Sequence, residues 1–160
     1  MERTLILIKP DGVQRGLIGQ ILSRFENKGL TIVGMKLMQM SEELAKKHYE
    51  PHQERPFFAP LVRFMTSSPI VAITLEGVSA INICRKLVGA TFGPDAEPGT
   101  IRGDFGMSRS FNLIHASDSL TSAAREIQLF FESTELIDLD RAIQTWIYDS
   151  EDLALAETLT

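Results

Sequence analysis

The amino-acid sequence predicts an α+β sandwich on a four-stranded antiparallel sheet, and three observations carry that expectation. Four short apolar, β-rich runs are separated by stretches whose apolar residues recur at helical spacing. Turn and capping residues stand at the junctions between them. The chain has 160 residues, 44% of them hydrophobic. That is enough for one domain, which at this length buries roughly 70% of its unfolded surface without covalent staples.

Thr4-Leu5-Ile6-Leu7-Ile8 is a continuous apolar run and reads as a buried strand, stopped by the turn residues Lys9-Pro10-Asp11-Gly12. Leu17, Ile18, Ile21, Leu22 and Phe25 recur at helical spacing, and Gly29 closes that helix. Residues 30–40, with Ile32 and Val33 near their start, read as the second strand. Ser41 is a natural N-cap with Glu42 and Glu43 in the first turn, and this helix ends near Tyr49, ahead of Pro51. Pro56 opens a further short helix through Phe57, Phe58, Leu61, Val62 and Met65, completing a helical hairpin. Residues 69–75 form the third strand. Residues 78–87 form a helix with Ile81, Cys84 and Leu87 on one stripe. Residues 111–115 form the fourth strand, and residues 121–131 the next helix, carrying Ala124, Ile127, Gln128 and Phe131. The order β-α-β-(α-α)-β-α-β-α matches a ferredoxin-like split βαβ plan with extra helices.

Residues 88–109 break the pattern. They hold Gly89, Gly93, Pro94, Pro98, Gly99, Gly103 and Gly106 and show no period. A loop of that length inside a small domain is functional or disordered. Its arginines and the apolar Ile101 and Phe105 favour a packed excursion.

The formal charge is −5, from 16 Lys+Arg against 21 Asp+Glu. Asp149, Glu151, Asp152 and Glu157 supply four of the acidic residues; without them the balance is 16 against 17. The expected organisation is therefore a domain over 1–149 and an acidic extension over 150–160, solvated or docked on a partner. A nearly neutral body argues against a dedicated nucleic-acid face. No apolar run reaches the ~20 residues that span a bilayer, so no membrane partner is expected. The single Cys excludes an internal disulfide and a cysteine-built zinc site. With no targeting signal visible, the expected location is cytoplasmic.

Three histidines are present. His48 and His52 have the i, i+4 spacing of helix-borne metal ligands, but Pro51 lies between them, and exposed polar residues are the better reading. His115 ends the fourth predicted strand and is followed by Ala116-Ser117-Asp118. It reads either as a satisfied core histidine or as a catalytic one oriented by Ser117 and by Glu126 on the next helix. There is no Gly-x-x-x-x-Gly-Lys-Ser/Thr loop and no Gly-x-Gly-x-x-Gly. Lys9, Arg85, Arg102 and Arg109 nevertheless stand at element ends or in the long loop. Each is a solvated charge if alone; grouped, they suit a phosphate chain. Phe57 and Phe58 cannot share one helix face, which leaves one ring free to stack a nucleobase at a cleft mouth.

Asn112-Leu113-Ile114-His115-Ala116-Ser117-Asp118 resembles the active-site signature of nucleoside diphosphate kinases. Glu2-Arg3-Thr4, residues 9–16, Arg55-Pro56-Phe57-Phe58, residues 98–105 and Trp146-Ile147-Tyr148 also match that family, so the resemblance runs from Glu2 to about Asp149. It implies transfer of the γ-phosphoryl of a nucleoside triphosphate to a nucleoside diphosphate, with Mg2+, through a phosphohistidine. By position, His115 is the implied nucleophile at its ring nitrogen nearer the main chain, held by Glu126 and Ser117. Lys9, Tyr49, Arg85, Thr91, Arg102 and Asn112 are implied contacts to phosphates or ribose. Phe57 is the implied base platform with Leu61 beside it, and Asp118 meets magnesium through water. The resemblance also implies a homo-oligomer, tetramer or hexamer. Three features depart from the family pattern. Ala116 replaces a common glycine, the proline of the 91–95 loop falls one place late, and the acidic tail runs past the usual end. The last two bear on assembly.

Overall fold

The structure, a computed structural model, describes residues 1–139 and 141–158. Asp140 lies outside the described residues, as do Leu159 and Thr160 at the end of the acidic extension. Strand β1 (Glu2–Ile8) is followed by helices α1 (Pro10–Gln14) and α2 (Ile18–Asn27). Strand β2 (Thr31–Met38) leads into the hairpin α3 (Glu42–His48) and α4 (Phe58–Met65), and β3 (Ile70–Gly77) leads into α5 (Ala80–Val88). Helix α6 (Ile101–Phe105) sits inside the long loop; β4 (Ile114–Ala116), α7 (Leu120–Phe130) and α8 (Ser150–Thr158) follow.

The sheet order is β2-β3-β1-β4, antiparallel throughout, so the fold is the ferredoxin-like α+β sandwich that the element order predicts. Side chains alternate along β1, and both faces are buried. Ile6 and Ile8 pack with Ile21 and Phe25 of α2 and with Ala80, Cys84 and Val88 of α5. Leu5 and Leu7 pack on the other face with Ala45 of α3, Val62 and Met65 of α4, and Ile127 and Phe130 of α7. The crossover helices α2 and α5 cover one face; the hairpin and α7 cover the other. That is why β1 reads as a continuous apolar run rather than an alternating one.

The capping chemistry explains several boundaries. Ser41 Oγ accepts from the Leu44 N–H at 3.1 Å and starts α3. Gly29, at φ +99°, supplies the left-handed residue after α2, and Ile147 packs where a Cβ would stand. The chain beyond α7 returns along β2 through Ile137 N–H to the Val33 carbonyl at 2.8 Å. In α8, Asp149 Oδ1 accepts from the Glu151 and Asp152 N–H groups at 2.9 Å each.

Two local expectations are corrected. Lys9-Pro10-Asp11-Gly12 is the start of α1, with Pro10 in its first turn, where its missing N–H costs nothing. The fourth strand is three residues long instead of five. Leu113, fully buried, has φ +69°, which an extended strand cannot contain. Its N–H donates to Asp11 Oδ2 at 3.0 Å and its carbonyl accepts from the Lys9 N–H at 2.8 Å, so α1 holds this backbone out of the sheet.

The 88–109 segment is packed. Thr100 Oγ1 caps α6 through the Gly103 N–H at 3.0 Å, Ile101 is fully buried, and Arg24 bonds the Gly99 carbonyl and the Asp104 carboxylate. Gly93 and Gly106 bring two backbones together, and a Cβ on Gly93 would collide with the Gly106 carbonyl. Gly93→Ala is therefore expected to destabilise the fold by about 1–3 kcal/mol, the overpacking scale. Urea denaturation measures this, and an unchanged midpoint would show that these backbones do not touch.

Candidate active site

His115 stands opposite Leu7 in the β1–β4 register, which turns its side chain to the face covered by α3 and α7. Ser119 caps α7 through the Ser122 N–H at 3.1 Å and so sets the helix phase that turns Glu126 inward. His115 Nε2 lies 2.9 Å from Glu126 Oε2. Ser117 Oγ donates to the same oxygen at 2.7 Å and accepts from the Leu5 N–H at 3.2 Å, which ties the pair to β1. Glu126 is buried, while the His115 side chain keeps 22% of its surface exposed. A carboxylate can only accept, so the imidazole proton belongs on Nε2 and the lone pair on Nδ1.

His48 corrects the reading of the His48/His52 pair as exposed polar residues. His52 is exposed, but His48 is buried, its ring edge-on to His115 at 4.7 Å and packed on Tyr49 and Phe130. Both its nitrogens lack a hydrogen-bond partner among the described residues. Burial, with the charge of His115 second, holds its pKa far below the usual histidine range, so it packs as a neutral ring. His48, His115 and Glu126 bring ligand-type atoms within 4.8 Å of one another. His115 Nε2 and Glu126 Oε2 are already engaged with each other, and His48 packs edge-on beside them, so the trio is a bonded pair with a packing ring rather than an open metal cage.

In front of His115 lies a cleft of about 820 Å³ between the α3–α4 hairpin and the 89–113 segment. Its lining includes Lys9, Tyr49, Phe57, Leu61, Arg85 and Thr91, together with Arg102, Asn112 and Asp118. Every implied site residue, Glu126 included, therefore borders this cleft except Ser117, which lies behind, against β1.

The cations differ in setting. Lys9 closes β1, is buried, and donates from Nζ to Asn112 Oδ1 at 2.7 Å. Desolvation, then the charge of Arg102, push its pKa down to about 8, against the opposing pull of Asp11. Asn112 Nδ2 in turn donates to the Thr91 carbonyl at 2.8 Å. Arg102 is 4% exposed and donates to the carbonyls of Ile114 at 2.6 Å, Asn112 at 3.0 Å, and Gly89 and Ala90 at 3.2 Å. Burial, and Arg85 after it, lower its pKa to about 10, so it stays charged at neutral pH. Arg85 on α5 is exposed and reaches toward the Ala116 carbonyl.

At the mouth, the outward phenylalanine is Phe57, 50% exposed; Phe58 packs partly against the core. Leu61 lies one turn on, its N–H bonded to the Phe57 carbonyl at 2.9 Å. The Tyr49 hydroxyl is buried with no partner among the described residues, and burial keeps it protonated. Hydrogen bonds from Ser122, first, and Ser119 hold the Asp118 carboxyl below its usual range, so it is ionised at the cleft edge.

Residue types alone give no signal for Asp11 or for the rim residues Phe92 and Phe111, and they read His48 as an exposed polar residue. Arg109 reads as a solvated charge if alone and as part of a phosphate-binding group if joined by the other cations. The one signal pointing at the rim was the concentration of arginines and phenylalanines in a segment without period. Arg102 also has a second role: its four carbonyl partners hold the 89–90 backbone to the 112–114 backbone. Arg102→Ala is expected to destabilise the protein by roughly 2–4 kcal/mol, because it leaves buried carbonyls unpaired. Thermal denaturation checks this; an unchanged Tm would mean those bonds do not hold the segment.

A family model described as nucleoside diphosphate kinase matches residues 2–136. A nucleoside diphosphate kinase of Desulforamulus reducens is 58% identical over 149 residues, covering 93% of this chain and 100% of that protein. One from Archaeoglobus fulgidus is 52% identical, covering 93% and 99%. Among solved structures, a halophilic nucleoside diphosphate kinase from Halobacterium salinarum in complex with CDP superposes with a TM-score of 0.91. It is 52% identical, and the match covers 92% of this chain and 99% of that one. The chain belongs to the nucleoside diphosphate kinase family, phosphotransferases that move the γ-phosphoryl group of a nucleoside triphosphate to a nucleoside diphosphate.

Proposed function

We propose that His115 carries the phosphoryl group, on Nδ1, between the two nucleotides. The observation that carries this reading is the 2.9 Å contact of Nε2 with Glu126, itself bonded to Ser117. It directs the free lone pair away from the carboxylate. In the first half-reaction, the Nδ1 lone pair forms a bond to the γ-phosphorus. The bond from that phosphorus to the bridging oxygen breaks, and the diphosphate leaves with the electron pair. The ring gains positive charge as the bond forms, and the Glu126 carboxylate stabilises it. In the second half-reaction, a terminal oxygen of the acceptor diphosphate attacks and the N–P electron pair returns to Nδ1. One site thus serves donor and acceptor in turn.

Phosphoryl transfer asks mainly for positioning and charge neutralisation. Lys9, Arg85 and Arg102 supply the charge in this reading. Thr91, Asn112 and Tyr49 hold phosphate or ribose, with Asn112 already pairing Lys9. Phe57 stacks on the base, and Leu61 flanks it. Phe57 is at the exposed mouth and Lys9 and Arg102 at the buried floor, which supports seating the base outward and the phosphates inward. Stacking without base-edge hydrogen bonds tolerates different bases.

Mg2+ fits this site as a nucleotide-borne ion. The ionised Asp118 borders the cleft, which suits contact through a metal-bound water. When bound, magnesium neutralises phosphate oxygens; the protein residues do the orienting. A homo-oligomer, tetramer or hexamer, is the proposed assembly. Met35 and Leu37 on the edge strand β2, and Trp146 beyond it, expose large apolar side chains of the kind that subunit contacts cover. A cytoplasmic setting, where nucleoside phosphates and magnesium abound, fits the same reading, as does a free Cys84.

Two outcomes follow. His115→Ala should bind nucleotide, incorporate no acid-labile phosphate from γ-labelled ATP, and lose at least ~10³-fold in turnover. Retained turnover would remove His115 from the chemistry. Lys9 is charged below about pH 8 and loses its proton above it. Diphosphate affinity should then fall with rising pH, about tenfold per unit once well above 8, until the uncharged form dominates binding. Lys9→Met should bind weakly without that slope, and a wild-type affinity constant up to pH 10 would contradict the Lys9–phosphate contact.

A further inference from the structure

Asp11 follows Lys9 and Pro10 in the first turn of α1, and its two carboxylate oxygens are unequally used. Oδ2 accepts from the Leu113 N–H at 3.0 Å, whereas Oδ1 is buried with no hydrogen-bond partner among the described residues. Leu113 is fully buried at φ +69°, a conformation that a leucine keeps only where its surroundings impose it. The residues on either side of it serve the floor of the cleft. The Asn112 side chain accepts from Lys9 Nζ at 2.7 Å, and the Ile114 carbonyl accepts from Arg102 Nη2 at 2.6 Å. The charge of Asp11 acts on these same two cations, favouring the protonated form of both against the desolvation that burial imposes. From the other elements, Arg102 of α6 and His48 of α3 face Lys9, the first repelling its charge and the second neutral.

We infer that Asp11 is a positioning residue: one carboxylate oxygen holds the Leu113 bend, and its charge serves as the internal counter-ion of Lys9 and Arg102 in the open cleft. The inference rests on the proposed contact of Lys9 with phosphate. Buried cations without an anion are costly, and Asp11 supplies one before any nucleotide arrives. The same charge repels the phosphates once they are seated. At neutral pH the repulsion prevails, because Lys9 is mostly charged there already. It speeds the departure of the diphosphate in the first half-reaction and of the triphosphate in the second. A site that must release a product in each half-reaction gains by this. Above about pH 8 the hold on the Lys9 proton offsets the repulsion. Asp11→Asn keeps an oxygen for the Leu113 N–H and loses the charge, which separates the two roles.

The test is ADP affinity by titration calorimetry across about pH 6–9, with Tm measured alongside, for the parent, Asp11→Asn and Asp11→Ala. Each is also made in a Lys9→Met background. The ratio of variant to parent affinity cancels the titration of ADP itself. At about pH 6, Asp11→Asn should bind ADP about three- to tenfold more tightly than the parent, the scale of one screened charge. That ratio should then fall about three- to tenfold by about pH 9, because losing the anion lets Lys9 give up its proton roughly 0.5–1 pH unit earlier. In the Lys9→Met background the tightening should be the same at every pH. Asp11→Ala should show the same fall in the ratio from a weaker starting affinity, with a lower Tm, since it also loses the acceptor at the bend. The slope is therefore read in two variants, whichever folds better. A ratio fixed at one in Asp11→Asn, beside a parent whose affinity falls above about pH 8, would overturn the counter-ion and leave the Lys9 contact intact. An equal loss at every pH with a lowered Tm would make Asp11 a structural bond alone and overturn it as well. An unchanged Tm in Asp11→Ala would overturn the hold on the bend. A parent affinity that is flat with pH would overturn the Lys9 contact, and this inference with it.

Discussion

One carboxylate oxygen organises the site. Glu126 Oε2 receives a hydrogen bond from Ser117 and one from the His115 ring, and Ser117 is itself anchored to the backbone of β1. The imidazole is thereby fixed in tautomer and direction by groups on three elements: β1, the β4–α7 turn and α7. His48, neutral and edge-on, fills the space beside it without competing for the proton. Charge-assisted bonds of this kind are the strong ones, and a buried carboxylate left without donors would be costly. The fold and the nitrogen proposed to react therefore depend on the same contact.

The cationic floor carries the opposite tension. Lys9 and Arg102 are both buried, and desolvation lowers both pKa values, with Arg102 adding to the effect on Lys9 and Arg85 to that on Arg102. The protein holds positive charge in a poorly solvated place before any anion arrives. In the proposed reading, a bound phosphate chain relieves that tension, which is how preorganised charge differs from a flexible surface patch. Asn112 and the carbonyls around Arg102 keep the two cations directed while the cleft is open to solvent. The strained backbone of Leu113 lies between Asn112 and Ile114, gripped by Asp11 and the Lys9 N–H. The main chain that delivers His115 to the sheet is thus bound to the strand end that delivers Lys9.

Much of the fold was legible because local signals agreed with it. The continuous Thr4–Ile8 run meant a strand buried on both faces. Ser41 with Glu42 and Glu43 marked a helix start, and Gly29 a helix end. The ring arrangement at Pro56 resolved as the helical spacing demanded, with one phenylalanine in and one out. The failures share a cause: each depends on a contact distant in sequence. Nothing near Leu113 announces that Asp11 will take its N–H, so residues 111–115 read as a full strand. Nothing near His48 announces Phe130 and His115 as neighbours, so it read as exposed. Arg102 was legible as a cation, but its hold on four carbonyls was not, since backbone partners leave no mark in the side-chain pattern. For the site, the resemblance named residues, and the structure supplied the bonds among them.

The central claim is that Glu126 holds the proton on Nε2 and leaves Nδ1 to carry phosphate. Nitrogen and phosphorus NMR of enzyme with labelled histidine, phosphorylated with ATP, tests it most directly. The account predicts a one-bond nitrogen–phosphorus coupling on Nδ1 of His115, with Nε2 still protonated. A coupling on Nε2, or on no nitrogen of this residue, would contradict it.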